Sequence, residues 1–96
     1  MKQQTKRQEE RIWKYELPSA RTALRLPTGA RILNVGLQEK DRVVLWVIIN
    51  PNETEMEERV FIGVATGTPF GTFNAVYIGT IQISTGYVWH IFENKN

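Results

Sequence analysis

Arg42–Ile49 reads RVVLWVII, and whether this stretch is a strand or a helix decides the architecture of the chain. Val43 to Ile49 are all apolar, so neither geometry leaves a polar face. Five of these seven residues are β-branched, which crowds a helical turn and suits a pleated strand. Asn50-Pro51-Asn52 follows at once and would stop a helix. The stretch is therefore read as a strand covered on both faces. It lies at the centre of a fold, or its second face meets another chain.

Outward from this strand the apolar residues recur with period two, the mark of half-buried strands. In Ile12–Leu17, residues Trp13, Tyr15 and Leu17 share one face and Lys14 and Glu16 the other. In Arg21–Leu26, Thr22, Leu24 and Leu26 point inward, and Arg21, Ala23 and Arg25 outward. Arg31–Gln38 sets Leu33, Val35 and Leu37 against Ile32, Asn34, Gly36 and Gln38. Arg59–Thr66 puts Val60, Ile62 and Val64 on one face, and Val76–Ile83 and Tyr87–Phe92 complete the set. Turn chemistry separates them at Pro27-Thr28-Gly29, Glu39-Lys40-Asp41 and Ser84-Thr85-Gly86. The pattern predicts a single small all-β domain over residues 12–96. It is an antiparallel sandwich or barrel of about seven strands. Residues 1–11 are polar and lack apolar periodicity, so they are read as an N-terminal arm or short helix.

Composition removes several function classes. The chain has 96 residues, 42% hydrophobic and 23% charged, which is one globular domain's worth. It has no cysteine, so it holds no disulfide, thiolate zinc site or cysteine nucleophile. A single histidine excludes a multi-histidine metal site within one chain. The longest apolar run falls far short of the roughly twenty residues of a membrane helix. The basic N-terminus is not followed by the apolar stretch of a secretion signal, so a cytoplasmic location and no membrane partner are expected. Net charge is +1 over residues 1–10, +4 over 11–42 and −3 over 43–96. This split suits docking between copies, or capture of a small anion, better than duplex DNA binding.

The catalytic inventory is thin. Gly63, Gly67 and Gly71 lack the lysine and helix of a phosphate loop. Glu53, Glu55, Glu57 and Glu58 lack the spacing of a calcium loop. Neither Ser19 nor Ser84 stands in a nucleophile motif that would recruit His90. No catalytic residue, metal or cofactor is expected. Trp13 and Trp46 are read as core. A ligand, if one binds, would meet Arg21 and Arg25 as anion contacts, with Phe70, Phe73, Tyr77, Tyr87 and His90 as stacking or polar contacts. Val44, Trp46 and Ile48, on the second face of the apolar strand, are the expected interface of a homo-oligomer.

Several pieces carry a resemblance. They are Trp13-Lys14-Tyr15, Leu26-Pro27 with Gly29-Ala30 and Ile32-Leu33, Leu45-Trp46 before Pro51, and Gly67-Thr68. The most specific are Tyr77-Ile78-Gly79-Thr80 with Gln82, and Val88-Trp89-His90-Ile91-Phe92-Glu93. Over about Ile12 to Glu93 the chain resembles small phage and prophage proteins grouped as a domain of unknown function. The charged stretch before Ile12 looks like an addition to that family's usual start. The resemblance supplies no catalytic residues. It implies a cytosolic phage accessory protein that acts on host machinery or host defence. The expected function is therefore binding to a host protein. The alternatives are an oligomeric sponge for a small anionic nucleotide signal and a minor virion structural or assembly protein.

Overall fold

The computed structural model describes residues 10–71 and 74–95. Residues 1–9 of the expected arm and Phe73 lie outside the described residues. Seven strands follow in order: β1 (Arg11–Glu16), β2 (Arg21–Pro27), β3 (Arg31–Gln38), β4 (Arg42–Ile49), β5 (Met56–Ala65), β6 (Ala75–Gln82) and β7 (Val88–Asn94). A 3-10 turn, Glu39–Asp41, joins β3 to β4. The strands form two antiparallel sheets, ordered β1-β4-β3 and β2-β5-β7-β6. The edge strand β3 of one sheet lies against the edge strand β6 of the other. Among the described residues no ladder links the sheets, so the fold is an open sandwich and not a closed barrel.

The apolar stretch is β4, the central strand of the three-stranded sheet. Leu45, Val47 and Ile49 face the other sheet and join Leu26, Phe61, Ile81 and Ile91 in one core. Val44, Trp46 and Ile48 alternate with them and face outward. Val44 is nevertheless fully buried. The Lys14 ammonium donates to Gln38 Oε1 at 2.8 Å, joining β1 to β3 across β4. Lys14 is paired with Trp46 and Gln38 with Arg42, so this bond crosses β4 at Val44. An ion pair between Arg42 and Glu16 closes the same end.

Two assignments, Leu33 and Trp13, differ from the alternation in the sequence, and on β5 the shared face of Val60, Ile62 and Val64 is the outer one. The register of β3 shifts between Ile32 and Asn34, so Leu33 is an extra residue of a β-bulge and is 47% exposed. Ile32 takes its place beside the core, with Val35. Trp13 pairs with Val47 and has core-facing parity, yet β1 is a sheet edge and Trp13 is also 47% exposed. On β5 the core side belongs to Phe61, while Val60, Ile62 and Val64 face outward.

Candidate binding face

The outer face of the four-stranded sheet holds most of the candidate ligand residues. Residues paired across antiparallel strands share a face. Arg21 pairs with Ile62, Ile62 with Phe92, and Phe92 with Tyr77, so these four form one row across all four strands. The next row runs Val64, His90, Thr80. Phe70, from the loop after β5, sets its ring edge-on against Phe92 with centroids 5.0 Å apart. Tyr77 meets the same ring at 5.6 Å. Tyr77 and Phe70 are 57% and 46% exposed, and Ile62, Val64 and Phe92 are half-buried. The centre of this face is thus apolar, with Phe70 packed on Phe92 and Ile62 and Val64 only half-buried beside them.

A polar network fixes the aromatic part. The Tyr77 hydroxyl lies 2.6 Å from Thr80 Oγ1, which lies 3.0 Å from His90 Nδ1. Thr66 Oγ1 lies 2.7 Å from His90 Nε2. Hydroxyls both donate and accept, so the pair suits either tautomer of the ring. No carboxylate or serine contacts His90 among the described residues, so no triad is assembled. The histidine holds the tyrosine ring through Thr80.

Arg21 and Arg25 differ from the other described arginines. Arg31 pairs with Glu10, Arg42 with Glu16 and Arg59 with Glu93. The Arg21 and Arg25 guanidinium groups have no ion-pair or hydrogen-bond partner among the described residues. The two are four residues apart on β2, about 13 Å along a strand, with Ala23 between them. Arg25 lies opposite Glu58, beyond the end of the aromatic patch. Only Arg21 borders that patch. A groove of about 440 Å³ lies there, lined by Arg21, Ile62, Val64, Thr68 and Phe70.

Tyr87 does not join this group. It is 66% exposed in the turn before β7 and shares parity with Trp89 and Ile91, which point toward the other sheet. Of the expected interface, Val44 offers no surface at all, while Trp46 and Ile48 are half-buried.

Sequence reasoning passed over two groups. Arg59 and Glu93 form a bidentate pair on the core side of the four-stranded sheet, at 2.7 and 2.9 Å. Arg59 Nη1 also donates to Ala30 O at 2.6 Å, tying the β2–β3 turn to this pair. Burial pushes the Glu93 carboxyl up. The Arg59 bonds and charge, with Lys95 nearby, outweigh that and hold it below the ordinary carboxylate range. The second group is Asp41, which accepts from the Ser84 N–H at 2.9 Å and from its hydroxyl. Both are long-range pairs with no local sequence signal.

The fold and this face define an open antiparallel β-sandwich with an apolar, aromatic sheet face bordered by Arg21, whose guanidinium has no partner among the described residues. Over residues 8–96 the chain matches the family described as Domain of unknown function (DUF7352), and it belongs to that family. The family begins before Ile12 and so takes in part of the stretch read as an added arm. No curated protein and no solved structure matches the chain.

Proposed function

We propose that this protein is a non-enzymatic accessory protein of phage type, working in the host cytoplasm by docking a host protein on the outer face of its four-stranded sheet. One observation carries this: the row Arg21–Ile62–Phe92–Tyr77 is apolar at its centre, exposes Tyr77, and ends in a guanidinium without an acceptor among the described residues. Exposed apolar faces of this kind mark interaction surfaces. The unmatched arginine fits an acidic group of the partner, and aromatics with arginine are the usual anchors of such contacts. A second copy of the chain would compete with a host protein for the same row. The test is photo-crosslinking in the host from position 64, on this face, and from position 12, on the other sheet. A host protein captured from position 64 and lost with Ile62→Lys or Arg21→Glu supports the assignment. Capture from position 12 alone, or capture that survives Ile62→Lys, overturns it.

A second reading rests on the groove beside Arg21. Its volume of about 440 Å³ lies in the range of small-ligand sites, with Phe70 as a stacking wall and Thr68 as a polar group. On this reading the ligand is a small anionic nucleotide. A cyclic dinucleotide at a hundred times its dissociation constant would then stabilise the fold by about 2.7 kcal/mol. An unchanged melting temperature removes this reading.

A further inference from the structure

We infer that the end of the sandwich nearest the β3–β4 turn is a binding site for a small apolar amine. A cavity of about 220 Å³ opens there between the sheets. Leu17 and Val43 line it on one side, and Phe61, Ile81, Trp89 and Ile91 on the other. Leu17, Phe61, Ile81 and Ile91 are buried, so the cavity runs into the core rather than over its surface. An apolar cavity of about 150 Å³ takes up benzene. This one has room for an aromatic ring with a short chain.

The charge at the mouth selects the head group. Among the described residues Asp41 is the one charged residue lining the cavity. Its carboxylate accepts from the Ser84 backbone N–H and hydroxyl, both neutral donors, and no cation pairs with it among the described residues. Ser19, also on the lining, donates its hydroxyl to Arg21 O. The backbone holding the carboxylate is itself unusual. Lys40 and Asp41 both have positive φ, 62° and 58°, which side-chain-bearing residues rarely adopt. The Ser84 bonds hold that conformation, and it sets a carboxylate at the lip of an apolar hole. A ligand with an apolar body and an ammonium head satisfies both features, because a carboxylate with spare lone pairs gains most from a cationic donor. The cavity shares Ala20, Ile62, Gly63 and Trp89 with the groove beside Arg21, and Asp41 distinguishes it from that groove.

The probes are 2-phenylethylamine, ethylbenzene and 3-phenylpropionate, titrated against methyl resonances of Ile81, Ile83 and Ile91. The expected result is saturable shifts at these methyls. The amine should bind on the order of tenfold more tightly than ethylbenzene, and the acid more weakly than either. Asp41→Asn keeps an acceptor for the Ser84 N–H, offers its amide N–H to the Ser84 hydroxyl as acceptor, and tolerates the positive φ, so the fold survives. In that variant the amine should fall to the affinity of ethylbenzene, and ethylbenzene should be unchanged. Three results overturn the inference: no shift at these methyls with any probe, equal binding of amine and acid, or amine affinity unaltered by Asp41→Asn.

Discussion

Arg59 and Glu93 show how a charged pair is kept on the core side of a sheet. Their side chains are 15% and 7% exposed, and each is met by the other in two bonds. Replacing both with apolar residues need not destabilise, because burying two charges costs about what their attraction returns. Removing one is different. Arg59→Met leaves the Glu93 carboxylate buried with only Lys95, 3.7 Å away and half-exposed, as a cation. Urea unfolding should show a loss of about 3–5 kcal/mol for Arg59→Met, much of it recovered in the double variant Arg59→Met/Glu93→Leu. The pair also sets an acid limit. Glu93 is held below the ordinary carboxylate value near 4.5, so the unfolded chain takes up a proton before the folded one. The pair's contribution is complete above that value and is lost as pH falls through the lower folded value. Glu93→Gln should be less stable at neutral pH, with a shallower decline in acid. An acid limb as steep as that of the wild type would show that other carboxylates set it.

Elements explain why two motifs of the sequence belong together. Tyr77-Ile78-Gly79-Thr80 lies on β6 and Val88–Glu93 on β7, and the two pair with each other: Tyr77 with Phe92, Gly79 with Ile91, Thr80 with His90. The register shifts between Tyr77 and Gly79, as it does on β3 between Ile32 and Asn34. The two bulges thus fall on the two edge strands that approach each other. Gly79 is where they touch. A methyl group there would lie 2.8 Å from Val35 Cγ1 and 3.2 Å from Asn34 Oδ1. Gly79→Ala should therefore cost roughly 1–3 kcal/mol in thermal or urea unfolding. Combined with Val35→Ala, it should cost less than the two single losses added together. Strict additivity would place the strain elsewhere. Much of this level was open to sequence reasoning. Period-two alternation located the strands, and β-branching decided that RVVLWVII is one of them. Leu33 was not legible, because a bulge is created by pairing with another strand and reverses the parity of everything before it. Val60, Ile62 and Val64 were found to share a face, but which face is inner depends on the second sheet. Arg21, Phe70, Tyr77 and His90 were singled out by chemistry, and only the register of β2, β5, β7 and β6 sets them on one surface.

On the scale of the whole molecule the two outer faces are unlike. On the three-stranded sheet, Lys14, Gln38, Glu16 and Arg42 close over Val44, and Lys14 stands in the middle of the edge strand β1, where a charge discourages pairing. On the four-stranded sheet the centre is apolar, with Ile62 and Phe92 half-buried. The sequence points to self-association through Val44, Trp46 and Ile48; since Val44 is fully buried, we propose this second face as its site instead. A two-fold axis in the plane of contact, parallel to the strands, lays β2 of one copy over β6 of the other. Under that operation the row would be self-complementary, Arg21 facing the tyrosine end of a second copy and Ile62 its phenylalanine. A guanidinium on an exposed tyrosine ring gives a cation–π contact, and the two apolar centres exclude water. Sedimentation velocity should show a mass that rises from monomer to dimer with concentration. Ile62→Lys should hold the chain monomeric at every concentration, with a modest drop in melting temperature because Ile62 is half-buried in the monomer. Trp46→Ala, on the opposite sheet, should leave the dimer intact. A dimer that survives Ile62→Lys but not Trp46→Ala would return the interface to β4. A wild-type monomer throughout would leave the four-stranded face to the host partner alone.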